Sequence, residues 1–115
     1  GTHGDGSQQT GWGGSKFTHS YIDGGNNDAL FFNQEGGNPA IGEVIIDNCV
    51  VNGYTGSQPG GPPDTWRSSY GIRITAGGPC HVTNTQINGD FDGYAQGTFT
   101  TWTGNTRDGS PIGAP

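Results

Sequence analysis

The sequence predicts an all-β fold in which short parallel strands stack as a β-helix, and three observations favour it. One eight-residue phrase occurs three times, starting at Phe17, Ile46 and Val82. Its form is apolar, Thr or Asp, His or Asn, small, any, Ile or Val, Asp or Asn, Gly. A weaker phrase follows each copy, at 28–33, 70–75 and 92–97. No stretch of eleven or more residues has the periodicity of a helix.

The stacking follows from the length of each phrase. A single copy cannot bury its apolar side, whereas copies stacked on one another align their apolar residues into a continuous inner wall. We therefore expect two short strands per rung, where a rung is one copy of each phrase. Gly and Asn suit the corners between them, because positive φ is often required there. Residues 5–10 fit the weaker phrase and predict an incomplete first rung.

The individual elements follow from local composition. Strands are predicted where β-favouring residues and the phrases coincide: 5–10, 17–23, 28–33, 43–51, 70–75, 80–87 and 98–103. Gly and Asn make 24–27 a turn and 34–40 a loop. The segment 54–69 contains Gly60-Gly61-Pro62-Pro63 and is predicted to be a loop insertion, because proline cannot donate to a sheet ladder.

Residues 1–115 are predicted to form one domain, with a frayed first rung at 1–16 and a loop-like tail at 104–115. Only 28% of the residues are hydrophobic, and the chain has 24 Gly and 7 Pro, so its core is thin. About three to four rungs are close to the minimum for a stable stack. We therefore expect this segment to belong to a longer chain or to a homo-oligomer.

Charge and hydropathy limit the partners. The net charge is −6, from 10 acidic against 4 basic residues, which argues against nucleic acid and against anionic membranes. No run is long and apolar enough to insert into a bilayer, and the first residues lack the pattern of a signal peptide. The expected location is extracellular or on a virion.

The two cysteines, Cys49 and Cys80, lie at different positions relative to the phrase. If both segments are extended, this offset is roughly 16 Å, which is too far for a disulfide. We expect two buried free thiols, with a disulfide as the alternative if a bent corner shortens the distance.

The phrase, together with Tyr70-Gly71-Ile72-Arg73-Ile74, resembles the right-handed parallel β-helix proteins of the pectate lyase-like superfamily. Thr2-His3-Gly4-Asp5-Gly6-Ser7-Gln8 is similar to a segment of secreted bacterial and phage members, and Trp102-Thr103-Gly104-Asn105 to their closing segment. The resemblance covers nearly the whole chain and implies a right-handed β-helix. It does not fix an activity, because this superfamily includes lyases, hydrolases, non-catalytic binders and viral tail proteins.

The chain departs from the family pattern in two places. Ser7 stands where that segment usually carries an apolar inward residue, which is why the first rung is expected to fray. The polygalacturonase-type set of paired acids, Gly-His-Gly and Arg-Ile-Lys is absent, since Arg73-Ile74 is followed by Thr75.

Strand alternation predicts a ligand-binding face. With the apolar residues pointing inward, Gln8, Phe31 and Arg73 point outward and form one row, because rungs stack about 4.8 Å apart. Asn33 and Thr75 point to the same side. An exposed ring flanked by an amide and a guanidinium suits a polysaccharide or cell-surface glycan, whose hydroxyls or carboxylate the polar groups would bind. The alternative is that Phe31 packs under a neighbouring loop or chain and Arg73 pairs with a nearby Asp.

Candidate catalytic residues are few. His3 and Asp5 could form an acid–base pair or hold a metal, with a hydrogen-bonded corner cluster as the alternative. Asp5, Asp28 and Asp92 share one repeat position and could act as glycosidase acids or share a calcium ion. The favoured interpretation is that each caps its own corner. No cofactor is expected otherwise, and no metal site is predicted.

The third position of the phrase carries a different signal. His19, Asn48 and Asn84 occupy it in the three copies. We predict that they form a structural ladder at one corner, because side-chain amides stacked at the rung spacing can bond each other and the backbone.

The leading hypothesis is a structural and glycan-binding module of a phage tail fibre, spike or minor tail protein, or of a secreted surface protein. One alternative is an enzyme, a polysaccharide lyase or glycoside hydrolase of the pectate lyase-like type. Another is a purely architectural filament subunit without a ligand. The incomplete acidic set favours a protein that is not an enzyme.

Overall fold

The structure is a computed structural model that describes residues 7–23, 28–53, 70–88 and 93–115. The predicted turn at 24–27 and the predicted insertion at 54–69 lie outside these residues. Within the described ranges no helix is long and apolar enough to cross a bilayer.

The described residues form thirteen short strands and no helix, which confirms the predicted all-β class. The strands are β1 (Ser7–Gln9), β2 (Ser15–Thr18), β3 (Tyr21–Asp23), β4 (Asp28–Phe32), β5 (Val44–Asp47), β6 (Val50–Asn52), β7 (Tyr70–Ile74), β8 (Cys80–Thr83), β9 (Gln86–Asn88), β10 (Gly93–Gln96), β11 (Thr101–Thr103), β12 (Thr106–Arg107) and β13 (Ser110–Pro111).

The strands form three sheets, and the chain visits them in a fixed order. Sheet A is β1-β4-β7-β10, sheet B is β2-β5-β8-β11, and sheet C is β3-β6-β9-β12-β13. Neighbouring strands are parallel throughout, except for the antiparallel pair β12–β13. We call one passage through sheets A, B and C a circuit. The four circuits are β1–β3, β4–β6, β7–β9 and β10–β12.

The register between circuits follows the repeated phrase. In sheet B, Phe17 pairs with Ile46, Ile46 with Val82, and Val82 with Trp102. Sheets A and C show the same one-to-one pairing of apolar positions, as in Leu30 with Ile72 and in Ile22 with Val51. The phrases therefore lie directly against one another, which is the alignment that the repeat predicts.

The paired apolar side chains form the core. Because strand residues alternate between two faces, every second residue of β4, β5 and β8 points inward and is buried, as are Ile72 and Ile74 of β7. The central circuits supply the fully buried residues, namely Leu30, Val44, Ile46, Val51, Ile72, Val82 and Ile87. The terminal circuits supply partly buried ones, including Phe17, Ile22 and Trp102.

The prediction of two strands per rung is wrong, because each circuit has three. The runs 17–23, 43–51 and 80–87, predicted as continuous strands, are each divided in two. The break falls at His19 (φ 50°), Asn48 (φ 56°) and Asn84 (φ 49°). A left-handed residue turns the chain out of one sheet and into the next, and Asn and His tolerate that conformation better than most side chains do.

The end of the chain also differs from the prediction. Residues 98–103, predicted as a strand, contain only β11, and the tail predicted as loop-like contains β12 and β13. The tail folds back over the last circuit, where the indole N–H of Trp102 donates to the Ile112 carbonyl at 2.9 Å and the Tyr94 hydroxyl donates to the Gly113 carbonyl at 2.8 Å. Its strands were missed because tertiary contacts, and not apolar residues of their own, hold them in place.

Both cysteines are free and buried, which confirms the prediction of two thiols. Cys80 starts β8, opposite Val44 in β5, while Cys49 lies beyond the corner residue Asn48. Burial raises the pKa of the Cys80 thiol to about 12. The thiol therefore stays protonated at neutral pH and packs as a small apolar side chain.

Ile45 and Ile46 are adjacent in β5, and substituting each one tests which face of the strand points into the core. Ile46 is fully buried, whereas Ile45 lies half-buried on the outer face, in register with Lys16 and His81. We expect Ile46→Ala to lower the free energy of unfolding by about 3 kcal/mol, because it leaves a cavity between circuits. Ile45→Ala should cost about 1 kcal/mol or less. Urea denaturation measures both, and equal losses would contradict the assigned faces.

Candidate functional site

The outer face of sheet A carries one residue from each circuit in a single row. Gln8 pairs with Phe31, Phe31 with Arg73, and Arg73 with Gln96. The structure therefore places the three residues Gln8, Phe31 and Arg73 on neighbouring strands, in the predicted order. Gln96 extends the row, and we call these four residues the sheet A row.

Arg73 is held in place by three neighbours. Its guanidinium carbon lies 5.0 Å from the centre of the Phe31 ring and 5.9 Å from that of the Tyr70 ring. Its Nη1 atom lies 3.6 Å from Oδ2 of Asp28, a fully buried carboxylate. Cation–π contact and the ion pair together fix the guanidinium, while 32% of the Arg73 side chain is still exposed.

This arrangement changes the predicted role of Phe31. The ring was predicted to be an open platform for a sugar, but it is half-buried and the guanidinium of Arg73 stacks against it. The predicted alternative, in which Arg73 pairs with a nearby Asp, describes the observed contact with Asp28. What the row offers a ligand is therefore polar: two amides and a partly exposed guanidinium.

A chain of polar side chains borders the row. Nε2 of Gln8 donates to Oδ1 of Asn33 at 3.1 Å, and Nδ2 of Asn33 donates to Oε1 of Glu35 at 3.0 Å. Gln8 and Glu35 are exposed and Asn33 is half-buried. The predicted site residue Asn33 thus links the row to a carboxylate that the sequence analysis did not select.

Thr75 lies farther along the same side, next to a shallow cavity. The residue is exposed, and its backbone N–H donates to the Phe32 carbonyl at 2.9 Å. The cavity has a volume of about 120 Å³ and is lined by Ile74, Thr75, Ala76, Gly77 and Thr98. Its lining includes two threonines, and it lies where β7, the strand that carries Arg73, ends.

The outer face of sheet A is not accessible near the first residues of β4 and β7. Ala29 and Gly71 are both buried, although they share the alternation of Phe31 and Arg73. The accessible part of the face therefore runs from the middle of β4 and β7 towards Asn33 and Thr75.

The predicted catalytic residues do not assemble into a site within the described part of the chain. His3, Asp5 and Asp92 lie outside the described residues. Asp28 is fully buried, and its Oδ1 accepts the backbone N–H of Tyr70 at 3.1 Å in addition to the ion pair with Arg73. Gly93 pairs with Tyr70, so the weaker phrase at 92–97 is one residue out of the predicted frame.

No group of three His, Cys, Asp or Glu side chains suited to a metal ion occurs among the described residues. The partners of Asp28 that are described are the Arg73 guanidinium and the backbone N–H of Tyr70.

The corner between sheets B and C holds the predicted ladder residues at equivalent positions. Nδ2 of Asn48 lies 3.3 Å from Nε2 of His19, and Nδ2 of Asn84 donates to Oδ1 of Asp47 at 3.3 Å. Gly104 continues the series in the last circuit: a Cβ atom there would lie 2.6 Å from Oδ1 of Asn84. Asparagine and glycine suit this corner because the backbone is left-handed in every circuit.

A second ladder lies on the inner side of the same corner. The backbone N–H of Cys49 donates to the Thr85 hydroxyl at 3.4 Å, and the backbone N–H of Thr85 donates to Oδ1 of Asn105 at 3.0 Å. Nδ2 of Asn105 donates to the Val82 carbonyl at 2.9 Å. These residues are buried, so the small fourth position of the phrase satisfies backbone groups at the turn.

Sheet B has its own polar row, which the sequence analysis did not find. Nε2 of His81 lies 3.1 Å from Oε2 of Glu43, and its Nδ1 lies 2.7 Å from Oγ1 of Thr101. The three residues come from successive circuits and lie on the outer surface. The register could have found His81 and Thr101, which pair directly, but not Glu43, because His81 pairs with Ile45.

The fold and this surface define a class: an all-β protein of three mainly parallel sheets with polar rows along their outer faces. No protein-family model matches the chain, and neither the curated proteins nor the solved structures compared with it gave a match.

Asp47 makes the stability that the corner between sheets B and C contributes depend on pH. The hydrogen bonds from Thr83 (2.6 Å) and Asn84 (3.3 Å) lower the pKa of Asp47 below its ordinary value of 3.8. Because the pKa of Asp47 is lower in the folded state, the carboxylate stabilises the fold at pH values above 3.8. This contribution is lost as the pH falls through the folded-state pKa. We expect the stability advantage of the wild type over Asp47→Asn to shrink below pH 3.8.

Urea denaturation across this acidic range measures the effect. Thr83→Val removes the hydrogen bond that lowers the pKa most, and should weaken the same pH dependence. A wild-type advantage that stays constant from neutral pH to well below 3.8 would contradict this role of Asp47.

Proposed function

We propose that the chain is a segment of right-handed parallel β-helix of the pectate lyase-like kind, and that it binds a glycan through the sheet A row. The observation that carries the proposal is the register of Gln8, Phe31, Arg73 and Gln96 across four neighbouring strands. The protein containing it would be a phage tail fibre, spike or minor tail protein, or a secreted surface protein.

The cyclic order of the sheets supports the β-helix. Successive strands enter sheets A, B and C in turn, and each pairs in parallel with the strand one circuit away. A coil with three strands per turn produces this order, because it returns to the same sheet after every third strand. Right-handedness is the default for parallel crossover connections.

The chemistry of the row supports a glycan. Sugar hydroxyls both donate and accept hydrogen bonds, and the amides of Gln8, Asn33 and Gln96 can do the same. Strands spaced about 4.8 Å apart present these groups as a regular strip, which suits an extended, repeating polymer better than a compact small molecule.

The guanidinium of Arg73 favours an acidic sugar. About a third of the Arg73 side chain is exposed (32%), and Phe31 and Asp28 hold it in place. A carboxylate is the acceptor that best matches the fork of an arginine. The proposal is therefore a polysaccharide that contains uronic or other carboxylated sugars.

Catalysis on such a polymer is the second proposal, and it has less support. A glycosidase needs two carboxyl groups about 5 to 10 Å apart on either side of the bond, whereas Asp28 is buried and paired with Arg73. A reducing-sugar assay and an unsaturated-uronate assay on the purified protein distinguish an enzyme from a binder. The purely architectural subunit predicts that no glycan is retained.

The exposed amides at the two ends of the row provide a test that spares the core. We expect the double variant Gln8→Ala/Gln96→Ala to bind an acidic polysaccharide such as polygalacturonate or an acidic bacterial exopolysaccharide about thirtyfold more weakly, because each of the two lost hydrogen bonds contributes about 1 kcal/mol. Affinity electrophoresis measures the change.

Gln86→Ala is the matched control, since Gln86 is an equally exposed glutamine on sheet C. It should leave both binding and melting temperature unchanged. Equal affinity of the wild type and the double variant would overturn the sheet A row as the binding surface.

A further inference from the structure

Trp12 is a bulky aromatic residue in a backbone conformation that favours glycine. Its φ is 76°, in the left-handed region, and 63% of its surface is exposed. Glycine adopts this φ without strain. It stands at positions 11, 13 and 14, but not at position 12. The backbone of Trp12 is therefore strained, although its exposed side chain contributes little to the core.

Hydrogen bonds fix the backbone of Trp12 on two sides. Its N–H donates to the Pro39 carbonyl at 2.8 Å, and its carbonyl accepts the N–H of Gly42 at 3.1 Å. Nε2 of Gln9 donates to the carbonyls of Gly11 (3.0 Å) and Gly13 (2.6 Å), on either side of Trp12.

Close packing holds the same loop against its neighbour. A Cβ atom on Gly11 would lie 2.6 Å from the Pro39 carbonyl oxygen, and one on Gly14 would overlap that of Glu43. The loop 10–14 therefore lies backbone to backbone against the loop 38–43, and only glycine permits this approach. The backbone position from which the Trp12 indole projects is therefore fixed before any ligand arrives.

The loop borders the sheet A row. The backbone N–H of Asn33 donates to the Gln9 carbonyl at 2.9 Å, and that of Glu35 donates to the Thr10 carbonyl at 3.2 Å. Asn33 and Glu35 are the polar residues that extend from Gln8. Trp12 thus lies at the corner where sheet A passes into sheet B, two residues beyond Thr10.

We infer that Trp12 is a preorganised stacking platform for one pyranose ring, at the edge of the surface whose row binds the polar groups of the same glycan. The inference rests on the proposed glycan-binding function and adds the aromatic contact that Phe31 does not offer. The face of an indole carries negative charge density and attracts the C–H face of a sugar. Because the backbone of this loop is already fixed, it loses little conformational entropy on binding.

Trp12→Gly separates binding from folding. Glycine relieves the left-handed strain, so the melting temperature should stay the same or rise, while the loss of the ring should weaken binding to polygalacturonate or an acidic exopolysaccharide about tenfold. Trp12→Phe should keep part of the affinity. The matched control is Tyr21→Ala, because Tyr21 is 68% exposed but lies on sheet C, and this variant should bind like the wild type.

Acrylamide quenching of the wild-type protein provides a measurement that needs no loss of function. The Trp12 emission is the difference between wild type and Trp12→Phe, and bound polysaccharide should reduce its quenching. Unchanged affinity of Trp12→Gly, or unchanged quenching of Trp12 with polysaccharide bound, would overturn the platform.

These outcomes distinguish the two proposals. If Gln8→Ala/Gln96→Ala loses affinity while Trp12→Gly does not, the sheet A row binds the glycan and Trp12 is not a stacking platform. If only Trp12→Gly loses affinity, the platform stands without the row. If the wild type retains none of these polysaccharides, both proposals are wrong.

Discussion

Parallel pairing in register between strands one circuit apart is the constraint on which the rest of this structure depends. Strands of two to five residues cannot bury an apolar face alone, and all of them except β13 pair in parallel with a strand one circuit away. A slip of one residue would turn Ile46 outward and Ile45 inward. The register therefore decides at once which residues form the core and which form the outer rows.

The sequence could predict this register but not the number of strands. The phrase repeats position by position, so pairing Phe17 with Ile46 and Ile46 with Val82 follows from similarity alone. The division of each run into two strands depends on one dihedral angle at His19, Asn48 and Asn84. Residue type indicates that such a φ is tolerated there, but does not require it. The hairpin of the tail depends on contacts with Trp102 and Tyr94 that no local pattern contains.

The surface was predictable to a similar extent. Alternation and register placed Gln8, Phe31 and Arg73 in one row, because both are properties of the backbone. The ion pair between Arg73 and Asp28 was not predictable in detail, since it joins residues three positions apart along neighbouring strands through a long side chain. Trp12 was missed because Gly11-Trp12-Gly13-Gly14 has the composition of an ordinary loop. Its exposure and its left-handed φ emerge only from the packing of two loops.

The cross-strand contacts of the backbone test this account most directly. In a uniformly labelled sample, parallel pairing in register predicts nuclear Overhauser effects between the backbone protons of Phe17 and Ile46, Ile46 and Val82, and Phe31 and Arg73. Effects that instead join these strands in an antiparallel order, or that place Ile46 beside a residue other than Phe17 and Val82, would contradict the parallel register and remove every outer row with it.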